Sequence, residues 1–450
     1  PLEPRGAIAR WARGRDLLEL HGAAKLLHRT RAALAELLGR PEASVQLHEG
    51  NVGGGFGIRG ELYPEDILVC VAALRLRRPI KWIEDRREHL IAANHSRQQL
   101  HRIRAAVDRD GRLLGVDDDF FLDQGAYPRT HAARVVDMTA AILPGPYRIP
   151  AYRAVGHYRL TNKTPAATYR SPGRYESTFV RERLMDAIAA AYELDPIELR
   201  RRNLIAASEM PYVIPIEALG EEVSYDNGDY AALLDQALDK IGWPGLQETL
   251  ARRRAAGEAV GAGVAIFVEK TGLGPRDGAH IIVDPAGGIE LITGGASVGQ
   301  GFETTMAQIC ADTLGVDYRR VRVIHGQTDR IEFGLGAHAS RATVMSGGAT
   351  HAAALAVREK AIAMAAELMQ APAETLDIVD GRVIRKDRPA GPSMSLGEIA
   401  ASLAPTSKVL GDRTPGLSAD GWFHTEQMTY PYGVHLAVVR VDRETGAVVV

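Results

Sequence analysis

Apolar residues return every three to four positions in "AKLLHRTRAALAELL", residues 24–38, and Gly39 with Pro41 close the pattern; this predicts a helix. "SVQLHEG" reads as a strand running into a glycine-rich stretch, "EDILVCVAALRL" as a buried helix and "PIKWIED" as another strand. Residues 99–122 alternate apolar and polar around the turn "DRDG", the pattern of a long hairpin. Helical spacing returns in "ESTFVRERLMDAIAAAYEL" and in "DPIELRRRNL", where Asp195 is placed to cap and Pro196 fits the first turn. Residues 206–230 lose all periodicity and gather Pro and Gly, so a domain boundary is expected there.

Beyond it the pattern predicts a helix near 230–241 and strands at 260–270, 279–284 and 288–293. A helix at 301–315, a strand at 320–326 and an Ala-rich helix at 348–370 follow. Residues 371–420 read as loop-rich, with a short hairpin at "GRVIRKD". Prominent hairpins mixed with helices give an α+β fold, in which mixed sheets and hairpins pack with helices, rather than a doubly wound parallel sheet. The expected division is 1–225 and 226–450.

Composition narrows the function classes. The chain has 450 residues, enough for two to three domains, and a formal charge of −2. No chain-wide basic field exists to gather nucleic acid, and the local arginine runs read as solvated helix faces. Cys70 and Cys310 both sit in apolar helical patterns and read as core residues. Two cysteines supply neither a disulfide framework nor an iron–sulfur cluster. No apolar run is long enough to cross a bilayer. The chain starts at Pro1 and runs to Val450 inside "GVHLAVVRVDRETGAVVV", a strand, a turn and the start of another strand. An internal piece of a longer protein is therefore expected, truncated at its C-terminus.

Four loops carry candidate chemistry. In "NVGGGFG", 51–57, consecutive glycines free the backbone to offer N–H groups to an anion, with Phe56 as the one flat apolar surface. The loop has neither Rossmann nor P-loop spacing, and a tight turn over a buried phenylalanine accounts for it equally well. "TGGASVGQGFETT", 293–305, ends a strand in glycines and opens a helix near Gly301, where N–H groups and the Gln300 amide could meet oxygen ligands; an ordinary strand–helix turn is the alternative. "GLGAHASRATVMSGGA", 334–349, packs small residues around Ser340 and Arg341, offering close backbone approach and a cation, or simply a capped helix start. In "ATYRSPGR", 167–174, Pro172 should hold Ser171 extended, Gly173 should release the chain into a helix, and Arg170 has a planar fork suited to an oxyanion; a surface turn with solvated arginines is the plainer reading.

Together these loops resemble the molybdenum-binding large subunits of the xanthine dehydrogenase / aldehyde oxidase superfamily, nearest to the carbon monoxide dehydrogenase large-chain type. The resemblance runs through "LEPRGAIA", "GGGFGIRGELYPED", "RPIKWIEDRREHL", "TYRSPGR", "DPIELRRRNL", "VGQGFETT" and "ASRATVMSGG", in order along most of the chain. It implies a molybdenum–molybdopterin cofactor, commonly the cytosine dinucleotide form, whose metal takes no protein ligand. It implies that Gly55, Phe56 and Gly57 lie near the metal, that Arg170 lies beside metal and pterin as the catalytic cation, and that Gly299, Gln300 and Gly301 hold pterin and phosphates. Ala339 and Ser340 would pass close to both, and Ser171 and Pro172 would belong to the substrate loop. The two expected halves become two molybdopterin-binding parts.

The implied reaction is hydroxylation of an aldehyde or N-heterocycle with oxygen from water. Electrons would pass to 2Fe-2S clusters on a small subunit and FAD on a medium subunit, in a dimer of heterotrimers located in the cytoplasm. Three departures qualify the likeness. The copper-containing carbon monoxide dehydrogenases carry a cysteine where Ser171 stands, and a hydroxyl is a poor ligand for soft Cu(I), so carbon monoxide is disfavoured. Gly60 occupies the position of the purine-oxidising members' glutamate, with Glu61 adjacent, so purines are disfavoured. The family's catalytic glutamate falls beyond Val450, which leaves an inactive paralogue or a cofactor-binding remnant as the alternative.

Overall fold

The computed structural model describes residues 1–22, 25–129, 133–218 and 220–450. They form two compact units, each drawn from two stretches of chain: residues 1–93 with 271–428, and residues 94–270 with 429–450.

The first unit has two four-stranded mixed sheets. One runs Val45–His48, Leu17–Gly22, Gly6–Ala12, Ile80–Ile83, with the first pair parallel and the others antiparallel. The helices Leu27–Leu38 and Pro64–Leu76 add Leu34, Val69 and Cys70 to a core with Leu18, Leu20 and Leu47. Ala296 and Ala337 join that same core, which anchors two of the candidate loops to this sheet. The other sheet runs Val321–Ile324, Ile289–Thr293, Arg276–Val283, Leu417–His424, again with one parallel pair. Helices Phe302–Leu314 and Gly347–Leu368 share its largest core, where Ile281, Leu291, Cys310 and Val357 are fully buried. Each aliphatic side chain of this size stabilises the fold by about 1.5–3 kcal/mol on full burial. Both cysteines are core residues, and burial pushes their thiols up to about 12.

In the second unit the strands Gln99–Val107 and Leu113–Gly125 form the expected hairpin, and Ala151–Leu160 adds parallel to its second strand. Tyr432–Val441 pairs antiparallel with Ala259–Val268 and then with Val448–Val449. The helix Arg174–Ala191 carries buried Arg181, Glu182 and Met185, and Glu182 accepts from Arg200 Nε at 3.0 Å. Asp195 caps Pro196–Asn203 by accepting from the N–H groups of Ile197 and Glu198.

Several expectations are corrected. The first helix starts at Leu27, after Leu26 adopts a non-helical backbone; Ala24 lies outside the described residues. The 206–230 stretch holds the antiparallel strands Tyr212–Ala218 and Glu221–Tyr225, with Leu219 outside the described residues. The late hairpin turns one strand earlier than expected, pairing Leu376–Val379 with Arg382–Arg385 across Asp380 and Gly381, both at positive φ. The stretch taken as loop-rich holds the helix Leu396–Ser402 and the sheet strand Leu417–His424.

Candidate functional site

Three of the four loops belong to the first unit and converge there. The glycine loop is held from below by Glu3, whose carboxylate accepts from Gly53 N at 2.7 Å and from Arg59 Nη2 at 2.9 Å. Gly54, Phe56 and Gly57 all have positive φ, of 101°, 49° and 102°. A β-carbon on Gly54 would sit 2.5 Å from the Phe56 ring, so the glycine makes room for it. The ring is 44% exposed, which removes the reading of a turn over a buried phenylalanine.

The Gln300 loop lies against this one. A β-carbon at Gly55 would meet Val298 at 3.2 Å, and one at Gly299 would meet the Val52 carbonyl at 3.2 Å. Gly299 and Gly301 have φ of 90° and 77°, and Gly301 caps the helix Phe302–Leu314. The Gln300 side chain folds back on its own loop: Oε1 accepts from Val298 N at 2.6 Å and Nε2 donates to the Ala296 carbonyl at 3.1 Å. One amide hydrogen remains for a ligand. Glu303, in the helix's first turn, accepts from the Ser297 hydroxyl at 2.9 Å and pairs with His325 Nε2 at 2.8 Å.

The third loop passes Ala339 and Ser340 through consecutive left-handed conformations, φ 45° and 51°, which cost free energy in non-glycine residues. Thr271 secures it by donating to the Ser340 carbonyl at 2.6 Å. The cation expected here is corrected. Arg341 is fully buried and spends its donors on Asp277 at 2.9 Å and on the carbonyls of Leu273, Gly336 and Arg276. Asp277 also accepts from the Ser346 hydroxyl at 2.7 Å. Arg341 is a bolt that holds the loop, not a cation offered to a ligand.

The fourth loop belongs to the second unit. Arg170 and Tyr169 are exposed. Arg97 lies under the loop: its guanidinium donates to the carbonyls of Arg170 and Ser171, pairs with Glu176 at 3.0 Å, and stacks over the rings of Tyr169 and Tyr175. Ser171 is left-handed, φ 53°, not extended as its place before Pro172 suggested. Its hydroxyl donates to the Glu269 carboxylate at 2.7 Å, and Glu269 also pairs with Arg174; these bonds hold the turn against the local preference. Gly173 starts the helix as expected, and a β-carbon there would lie 2.6 Å from the Val135 carbonyl.

Sequence reasoning missed Lys25 and Glu49, both buried behind the first unit's loops, and Arg97 and Glu269 in the second. A lone lysine among the apolar neighbours of "AAKLL" was the one available signal. Among the described residues no cluster of three or more His, Cys, Asp or Glu side chains could hold a metal ion. The converging small-residue loops, with their glycines at positive φ, fit close approach of a large group that brings its own metal ligands.

A model of the molybdopterin cofactor-binding domain matches residues 1–204, and a second of the same description matches residues 236–450. The chain is 40% identical over 446 residues to the 6-hydroxypseudooxynicotine dehydrogenase complex subunit gamma of Paenarthrobacter nicotinovorans, covering 99% of this chain and 56% of that protein. It is 32% identical over 466 residues to the nicotine 6-hydroxylase large subunit of the same organism, covering 100% of this chain and 56% of the relative. Among solved structures, quinoline 2-oxidoreductase from Pseudomonas putida 86 superposes with a TM-score of 0.90 at 32% identity, over 100% of this chain and 58% of that one. The chain thus spans a little over half the length of the relatives it matches.

Proposed function

The chain belongs to the molybdopterin cofactor-binding family of the xanthine dehydrogenase / aldehyde oxidase superfamily, and from that premise we propose that it is part of a hydroxylase large subunit acting on an N-heterocycle, with aldehydes as the second class. The convergence of the Gly55, Gln300 and Ser340 loops in one unit carries this reading. When bound, the molybdenum–molybdopterin group supplies the two-electron redox and oxygen-transfer chemistry. The chain's part is to bind and orient. Gly55, Phe56 and Gly57 give backbone approach and one flat face. Gly299, Gln300 and Gly301 present N–H groups to pterin and phosphates. Ala339 and Ser340 close the third side, and Arg170 provides the preorganised cation.

The N-heterocycles named in the nicotine and quinoline relatives favour that class for this protein. Ser171 is a hard hydroxyl already bonded to Glu269, which argues against a copper site and against carbon monoxide. The cytosine dinucleotide form, the 2Fe-2S and FAD partner subunits, the dimer of heterotrimers, the cytoplasmic location, and the two cofactor-binding parts, 1–225 and 226–450, complete the proposal. Relatives named as subunits of complexes support the partners, and among the described residues no helix is long and apolar enough to cross a membrane.

The test is turnover of quinoline and nicotine by the full-length protein with its partners, in heavy-oxygen water. Bound molybdenum, cytidine monophosphate released on acid hydrolysis, and label in the product are expected. Unlabelled product, or protein without molybdopterin, would sink the proposal.

A further inference from the structure

The Arg170 loop is kept in a strained backbone shape by two side chains distant from it in sequence. Ser171 is left-handed at φ 53°, although the residue before a proline favours an extended backbone. Arg97, which lies under the loop, is itself left-handed at φ 79°. Such conformations cost free energy in residues other than glycine and persist only where the surroundings over-determine them.

Two braces meet at Ser171. In the first, Arg97 donates from Nη2 to the Arg170 carbonyl and from Nη1 to the Ser171 carbonyl, the latter at 3.4 Å. The Ser171 carbonyl also accepts from Tyr175 N at 3.0 Å, which ties it to the first turn of the helix Arg174–Ala191. In the second, Glu269 Oε2 accepts from the Ser171 hydroxyl at 2.7 Å.

Each brace is itself anchored. Arg97 pairs with the buried Glu176 at 3.0 Å, and its guanidinium lies 5.5 Å and 4.4 Å from the ring centres of Tyr169 and Tyr175. Glu269 Oε1 accepts from Lys270 N at 2.8 Å and pairs with the buried Arg174. A planar guanidinium that grips two successive carbonyls fixes their relative direction, which a single-point contact cannot do.

The peptide that joins Arg170 to Ser171 is planar, so holding its oxygen and the residue after it fixes the whole unit. The Arg170 α-carbon is part of that unit. We propose that Arg97 and Glu269 are positioning residues for Arg170: by holding Ser171 left-handed they set the direction in which the Arg170 side chain leaves the loop. This rests on the role proposed above for Arg170 in turnover. A cation aimed in advance needs no rearrangement as charge develops in the reaction, and a small misplacement forfeits much of its effect.

Two double-mutant cycles on the full-length protein with its partner subunits provide the test. The first reads urea midpoints and needs neither cofactor nor turnover. Glycine adopts the left-handed conformation without a brace. Glu269→Ala and Arg97→Met should therefore each lower the midpoint when residue 171 is serine, and by clearly less in the Ser171→Gly background. The ion pairs with Arg174 and Glu176 are lost in both backgrounds and cancel in the comparison. Equal losses in the two backgrounds would mean that these residues serve their ion pairs alone, and would overturn the proposal. If either variant does not fold, Glu269→Gln and Arg97→Lys carry the same comparison, since each weakens the brace and keeps most of the side chain.

The second cycle reads quinoline turnover together with molybdenum content. Arg97→Met or Arg97→Lys should lower kcat by about ten-fold or more with molybdenum at the wild-type level. In the Arg170→Ala background the same substitution should lower kcat no further. An equal loss with and without Arg170 would show that Arg97 does not act through it, and would overturn the proposal. A complex that turns over no N-heterocycle, or an Arg170→Ala variant with full rate, would count against the function proposed above, while the urea cycle still decides whether Arg97 and Glu269 hold the loop.

Discussion

The Ser340 and Ser171 loops look alike along the chain. Each has a serine next to an arginine, a glycine close by and a helix following. Each folds its serine into the left-handed region, with φ of 51° and 53°. Their arginines nonetheless go opposite ways. Arg341 is fully buried and bonded to a buried carboxylate and three carbonyls, whereas the Arg170 side chain is exposed. The backbones are braced by different means as well. Thr271 ties the first loop through the Ser340 carbonyl, while in the second the serine's own hydroxyl reaches Glu269. What buries the one arginine is a carboxylate and carbonyls distant in sequence, here Asp277, Leu273 and Arg276, and no local motif encodes them.

Substitutions can break that contrast. Arg341→Met removes the partner of a buried carboxylate and should cost about 3–5 kcal/mol of stability, read by urea unfolding. A loss under about 1 kcal/mol would place Arg341 with the exposed arginines. Ser171→Ala removes one hydrogen bond to a charged group and should cost about 1.5–3 kcal/mol, read by the same method. An unchanged midpoint would mean that Glu269 does not hold the turn. Arg170→Ala should change stability by no more than about 0.5 kcal/mol. It should lower kcat in the assembled enzyme while molybdenum content stays at the wild-type level. Full activity in this variant would remove Arg170 from its proposed role.

Much of the fold was legible because its periodicity is strong. The hairpin around "DRDG", the helix opened by Asp195 and the helix between Gly301 and Gly315 follow from alternation, capping and left-handed glycines. The strands Gly6–Ala12 and Leu17–Gly22 escaped because their alternation is interrupted by charged residues such as Arg10 and Glu19, which pair across the strands. The helix Trp243–Ala255 escaped because three consecutive arginines near its end leave little apolar stripe. For the candidate site, glycine runs revealed which backbones could approach a ligand. They could not reveal which cations are already taken, nor that Ser171 would be drawn out of the extended region by Glu269. Lys25 and Glu49 stayed hidden for the same reason, since their burial is created by residues far along the chain.

The joining of Ala296 and Ala337 to the core of the first sheet has a consequence for synthesis on the ribosome. The glycine run at 53–57 precedes residues 94–270 in the chain, whereas Val298, against which it packs, and the two alanines that seal the core beneath emerge only after them. Until then the nascent chain carries an unsealed apolar sheet face, a kind of exposure that invites aggregation. The order of translation thus leaves this face without its last covering residues while residues 94–270 are being made.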